Sequence, residues 1–289
     1  MKKNHEEREI IFMVITQTQI ENFTNWLRLQ EKAETTVQKY RRDAEKFYVF
    51  SAGREVTREL TIAYKSYLIT AYRTASVNSM LIALNRFLGF LRCEECCVQP
   101  MKVQRETYRC AGAELTQEEY RRLVRAAEFG GNRRLSLLLQ TVCSTGIRIS
   151  ELPYITVQGV KNGVICVHGK GKSRMIFLPE KLQEKLCHYC GENQRQSGPV
   201  FCTRTGSAMD RSNIWKEMKD LCALAGVAPQ KVYPHNLRHL FACVFYEQEK
   251  DIDKLADLLG HSSINTTRIY LATSGDQHRR CLEQMHLVL

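Results

Sequence analysis

The stretch VICVHGKGKSRMIFLP, Val164–Pro179, places two apolar runs on either side of a glycine- and lysine-rich connection. That arrangement predicts a β-hairpin: the glycines of GKGKS, Gly169–Ser173, let the backbone bend tightly while a lysine projects from the tip. A nucleotide-cradling phosphate loop is excluded. It needs a strand before it, a helix after it and the longer GxxxxGK[ST] spacing.

Away from the hairpin the pattern is helical. Downstream, helical spacing runs from Pro179 onward, interrupted by a short strand expected at Val200–Cys202. Upstream, the apolar run Leu135–Cys143 predicts a helix that stops at Thr145–Gly146. Ahead of it LTQEEYRRLV opens a helix through a capping box, Thr116 with Glu119. The first third predicts four amphipathic helices. Phe23, Trp26, Leu27 and Leu29 carry the first, and Val37, Tyr40, Ala44, Phe47 and Tyr48 the second. Leu60, Ala63, Tyr64, Tyr67 and Leu68 carry the third, and Met80, Leu81, Leu84, Phe87, Leu88 and Leu91 the fourth. Val98–Gly112 has no periodicity and reads as a linker. The expected fold class is mainly α with a small β-sheet (α+β), in two domains, 1–105 and 106–289.

The chain has 289 residues, 44% of them hydrophobic and 25% charged, which is ordinary globular composition with enough apolar mass for packed cores. Its net charge is +11. Residues 1–105 carry 17 Lys and Arg against 12 Asp and Glu, and the remainder carries 25 against 19. Positive charge spread over both parts suits a polyanion gripped along the whole molecule, with Lys39, Arg41, Arg42, Arg73 and Arg86 expected on the outer faces of the first helices. The apolar run Ile10–Ile15 is too short to span a membrane and reads as a strand-like entry or packing segment, so no membrane partner and a cytoplasmic location are expected. Twelve cysteines in such a chain argue for reduced thiols. Two C-x-x-C pairs, Cys93–Cys96 and Cys187–Cys190, would have to meet across ninety residues to bind zinc; inward-facing helical thiols explain them more simply.

Several residues could carry chemistry. In TGIRISEL, Thr145–Leu152, Arg148 follows a glycine turn and precedes Ser150, expected to cap a helix whose N-terminus favours anions. In HNLRH, His235 and Arg238 stand three apart on one helix face just after Pro234, an imidazole and a guanidinium able to converge on a tetrahedral anion. Near the end, LGHSSINTTRIY places His261 nine residues ahead of Tyr270, with Ser262 and Ser263 starting a short helix between them.

Taken in order, R-I-S-E-L, a hairpin lysine, H-x-L-R-H, L-G-H and T-x-R-I-Y resemble the tyrosine recombinase (phage integrase) family, in particular its compact Xer-like and mobile-element integrases. The resemblance spans the chain from about Gly112, and the helical first third fits the family's core-binding, SAM-like DNA-binding domain. It implies an active-site set of Arg148, Lys170, His235, Arg238, His261 and Tyr270. Lys170 is preferred over Lys172 because the family's lysine lies between the two glycines, although this loop is one residue shorter than is common.

The implied reaction is site-specific cutting and rejoining of double-stranded DNA through a 3′-phosphotyrosyl intermediate, by a tetramer on two recombination sites. Tyr270 would be the nucleophile, the two arginines would hold the phosphate, and Lys170 would protonate the leaving oxygen. The ester conserves bond energy and arginines take the electrostatic role, so no cofactor or metal is expected. Glu151 would orient the site. Type IB topoisomerase-like relaxation and an inactive DNA-binding regulator are the alternatives. The DNA target and the biological setting, whether integration, dimer resolution or inversion, are not written in these motifs.

Overall fold

A computed structural model describes residues 13–102, 114–169, 172–203, 205–261 and 263–270. The chain divides into two compact units, Met1–Arg105 and Glu106–Leu289.

The first unit is a bundle of α1 (Gln17–Leu29), α2 (Glu34–Ser51), α3 (Arg58–Ala71) and α4 (Thr74–Phe90). Thr16 and Gln19 form a capping box at the start of α1, and the Thr57 side chain accepts from the Leu60 N–H at the start of α3. Phe23, Phe47, Tyr64 and Phe87 fill the centre, with Phe23 tilted against Phe87 at 5.0 Å. The apolar stripes are narrower than the sequence pattern suggests. α1 buries Ile20, Phe23, Thr24 and Leu27, whereas Leu29, about 200° round the helix from Leu27, is solvent-exposed. In α3, Ala63 and Tyr67 face outward and Thr61 takes the inner position. Burial of Thr61 is tolerated because its hydroxyl donates to the Cys96 carbonyl at 2.7 Å.

That bond belongs to a larger correction. The first part of the expected linker is docked on the bundle. Val98 is buried, and its N–H and carbonyl both pair with the Asn85 side-chain amide, while Asn78 does the same for Met101. Side-chain amides mimic a strand partner here, a pairing with no periodic signature. Residues 103–113 lie outside the described residues. Of the basic residues expected on outer faces, Arg42, Arg73 and Arg86 are exposed; Lys39 is tied to Asp43 and Arg41 to Glu45.

The second unit runs α5 (Gln117–Phe129), α6 (Arg133–Thr145), a 3-10 turn (Ile149–Tyr154), α7 (Val157–Asn162), β1 (Val164–Gly169), β2 (Lys172–Phe177) and α8 (Glu180–Glu192). It continues with α9 (Arg211–Ala225), a 3-10 turn (Pro229–Lys231), α10 (Pro234–Glu249), α11 (Ile252–Leu259) and α12 (Ile264–Tyr270). α6 is the axis, packed by α5, α8, α9 and α10. It is buried nearly all round, including Ser136 and Thr141, which is why its sequence reads as a continuous apolar run. β1 and β2 form the expected antiparallel hairpin, with Gly169 opposite Lys172 and Val164 opposite Phe177. Ile165, Val167 and Ile176 turn inward from it.

The strand expected at Val200–Cys202 reduces to isolated bridges, Thr156 with Pro199 and Cys202 with Ala208. Val200 and Phe201 are both buried, which a half-exposed strand would not allow. Among the described residues no helix is long and apolar enough to cross a membrane.

Candidate active site

Three arginines from three elements converge on the C-terminal end of α11. Arg174 donates through Nη1 to the Leu258 carbonyl, Arg238 through Nη2 to the Leu259 carbonyl at 2.6 Å, and Arg148 through Nη2 to the Gly260 carbonyl at 3.2 Å. The last carbonyls of a helix lack internal partners and carry its partial negative charge, so they offset a cluster of cations that would otherwise repel. Two glycines make the approach possible. Gly146 ends α6 and Gly260 ends α11, both at φ +61°; a Cβ at Gly260 would fall 2.5 Å from Arg174 Cδ, and one at Gly146 2.5 Å from Phe241 Cδ1.

Arg148 and Arg174 share one carboxylate, while Arg238 is held apart from it. The Arg148 N–H and Nη1 both donate to the Glu151 carboxylate at 2.9 Å, so the residue that caps the 3-10 turn is Arg148 itself, and Ser150 lies inside the turn rather than capping it. Glu151 also accepts from Arg174 Nη2 at 2.5 Å. Burial alone would raise the Glu151 carboxyl, but its bonds to Arg148 and Arg174 outweigh that and hold it below the usual carboxylate range. Arg238, buried in α10, donates to the Gly146 carbonyl as well. Burial, with Arg148 nearby, lowers its guanidinium to about 10, still charged at neutral pH.

The histidines and the tyrosine close the other side. Pro234 at the first position of α10 presents His235 and Arg238 on one face. The Tyr270 hydroxyl lies 3.4 Å from His235 Nδ1, and its ring packs within 5.6 Å of the rings of His235, His239 and His261. Cys243 Sγ donates to the Tyr270 carbonyl at 3.5 Å. His261 Nε2 sits 3.1 Å from Arg238 Nη2, and Nδ1 sits 2.9 Å from the buried Thr267 hydroxyl. Burial and the three arginines lower His261 to about 4.

A cleft of about 680 Å³ opens in front of this group, lined by Arg148, Ser150, Arg211, Trp215, His235 and Arg238. The structure therefore brings Arg148, His235, Arg238, His261 and Tyr270 together. Lys170 and Ser262 lie outside the described residues, and Lys172 is a member of β2.

Sequence reasoning missed Arg174. The signal was available: it occupies a strand position in phase with the inward-facing Ile176, where an arginine has no place unless partnered. The C-x-x-C pairs are divided between the two units. The Cys93 thiol faces the Leu91 carbonyl and the Met13 sulfur, that of Cys96 faces the Val56 carbonyl, and Cys190 is buried while Cys187 is exposed. The described cluster of metal-ligating types is a different one, Glu114, His239 and Cys243, behind the Tyr270 ring.

The chain that carries this site matches the phage integrase family over residues 113–276. The chain belongs to that family. It is 27% identical over 280 residues to tyrosine recombinase XerA of Pyrococcus furiosus, covering 93% of this chain and 94% of that protein. It is likewise 27% identical over 274 residues to tyrosine recombinase XerD of Vibrio cholerae, covering 88% and 89%. Its fold is similar to that of a lambda integrase tetramer solved on a Holliday junction, with a TM-score of 0.72 at 17% identity over 89% of this chain and 77% of that one. In this chain the arginine-bearing turn after α6, the start of α9 and the HNLRH helix are the parts that line the cleft.

Proposed function

We propose that the chain is a site-specific DNA recombinase whose Tyr270 attacks a phosphodiester held in the cleft. The observation that carries this reading is the Tyr270 hydroxyl, 3.4 Å from His235 Nδ1, beside a cleft lined by Arg148 and Arg238. As the phenolic oxygen bonds to phosphorus, its proton passes to His235. Negative charge gathers on the non-bridging oxygens between the two guanidinium groups, where fixed donors count most. The 5′-oxygen departs with a proton from Lys170, leaving a 3′-phosphotyrosyl bond and a free 5′-hydroxyl. Attack by a 5′-hydroxyl of a partner strand reverses these steps and frees Tyr270. No phosphate bond energy is lost, so no nucleotide is consumed.

Residues 1–105 act as the core-binding DNA grip and 106–289 as the catalytic domain, and four copies assemble on two double-stranded sites in the cytoplasm. Curated relatives matched over most of their length are tyrosine recombinases, which supports strand exchange over simple relaxation. The test is to trap covalent protein–DNA adducts from a fragmented genomic library in EDTA and sequence the attached DNA. Convergence on one short site is expected. Site-independent relaxation of supercoiled plasmid, or a strict need for added magnesium in cleavage, overturns the reading.

A further inference from the structure

We propose that Trp215 forms a nucleoside subsite beside the phosphate pocket, its indole packing against the base that flanks the phosphate held by Arg148 and Arg238. This rests on the recombinase reading above.

The core does not explain this tryptophan. α9 buries Ile214, Met218, Cys222 and Ala225 along one stripe, and Trp215, a step off that stripe, keeps 51% of its surface exposed. Its place is the informative feature. The indole lines the same 680 Å³ cleft as Arg148, Arg211, His235 and Arg238. The carboxylate lining that cleft, Asp210, is engaged in accepting from the Ser212 N–H as the α9 cap. A cleft of cations selects an anion, but a bare phosphate gives no use for a large apolar ring left open to water. The ligand that satisfies both parts is a phosphate bonded to a flat, apolar-faced group, which is a nucleotide within a strand. Lys219, one turn further along α9, places Nζ 5.2 Å from the indole centroid and adds a cation over the aromatic ring. Stacking tolerates every base, so the subsite positions the strand without reading its sequence.

The experiment uses the full chain with Trp26→Phe, which leaves Trp215 as its single tryptophan. The probe is a nicked duplex carrying the sequence recovered from trapped adducts, with abasic nucleotides placed singly on each side of the scissile phosphate. Trp215 emission is expected to quench on binding. Trp215→Ala should slow adduct formation by roughly 5- to 150-fold on intact DNA, and Trp215→Phe should retain most of the rate. At one flanking position the abasic substrate should erase the difference between Trp215 and Trp215→Ala. Losses that add at every abasic position, or a Trp215→Ala rate equal to that of the parent, overturn the subsite while leaving the recombinase reading intact. Failure of the parent to form any adduct overturns both.

Discussion

Arg238 donates to His261 Nε2 at 3.1 Å, and because a guanidinium can only donate, that nitrogen must be the acceptor. The ring proton then sits on Nδ1 and points to the Thr267 hydroxyl at 2.9 Å. His261 is therefore held neutral by geometry as well as by burial among Arg238, Arg148 and Arg174, which lower it to about 4. A phosphate in the cleft would draw Arg238 away and favour the protonated ring, turning Nε2 from an acceptor facing an arginine into a donor facing an oxyanion.

The pH dependence follows with a definite sign. An unfolded histidine titrates near 6.5, so the unfolded chain takes up a proton at His261 before the folded chain does. The stability associated with the neutral ring is present above pH 6.5 and is lost as pH falls from there towards 4. Urea melts at several pH values should show His261→Gln losing less stability than the parent across that window. Equal losses in the two proteins would refute the tautomer argument.

Arg174 and Glu151 form a nearly buried ion pair, their side chains 13% and 14% exposed. Removing Arg174 leaves Glu151 its bonds to Arg148 but takes away a charged donor from it and from the Leu258 carbonyl, so Arg174→Ala is expected to cost about 1.5–3 kcal/mol in chemical denaturation. Arg174→Lys should restore part of that stability but not the full cleavage rate, since one ammonium cannot reach both Glu151 and the Leu258 carbonyl in a fixed fork. Parent-like cleavage by Arg174→Lys would show that the orientation of Glu151, and through it of Arg148, does not matter to the reaction.

Legibility in the sequence followed the kind of signal each part leaves. The hairpin, the capping box at Thr116, the stop at Gly146 and the proline start of α10 are local, and the structure has each where local chemistry puts it. What escaped were pairings between distant segments. Asn85 and Asn78 hold the strand-like Val98–Met101 through side-chain amides, and no periodicity announces that. Arg174 lies in a strand whose neighbours say apolar, and its partners Glu151 and Leu258 stand 23 and 84 positions away. The site residues themselves are sparse polar types at helix ends. Their order along the chain was readable, but their meeting at the end of α11 was not, because no residue of that helix end is chemically unusual.

Arg238→Lys should keep DNA affinity and lose cleavage. The guanidinium donates to Gly146, Leu259 and His261 at once, a spread that an ammonium on a single stem cannot reproduce. Losing a preorganised donor at developing negative charge costs roughly 3 kcal/mol, about a hundredfold in rate. Single-turnover cleavage alongside a gel-shift titration separates the two effects. A variant that cleaves at the parent rate would make Arg238 a structural residue.

Lys170→Ala is expected to recover cleavage on DNA with a 5′-bridging sulfur at the scissile phosphate, because a thiolate leaves without a proton. Lys172 is paired opposite Gly169 in the hairpin ladder, and Lys170 lies outside the described residues. Rescue of Lys172→Ala in place of Lys170→Ala would move the general acid two positions along the hairpin.

Tyr270→Phe should bind DNA as the parent does and never become attached to it. The Tyr270 ring is 6% exposed and packs against three imidazoles, contacts that a phenylalanine ring keeps. The hydroxyl's bond to His235 is long, at 3.4 Å, and its other neighbour, Arg238, keeps its bonds to the Gly146 and Leu259 carbonyls, so folding stability should change by no more than about 1 kcal/mol. Affinity is expected to rest on many lysine and arginine contacts to phosphates, since both parts of the chain are basic, and one phenolic oxygen contributes little to such a sum. The loss should therefore fall on chemistry alone. Parent and variant are incubated with a nicked suicide substrate, and the products are separated under denaturing conditions. Peptide mapping of the parent adduct should place the DNA on the segment containing Ile269–Tyr270–Leu271. An adduct mapped to Tyr233 or Tyr246 would move the nucleophile, and an undiminished adduct with Tyr270→Phe would overturn the phosphotyrosyl mechanism at this residue.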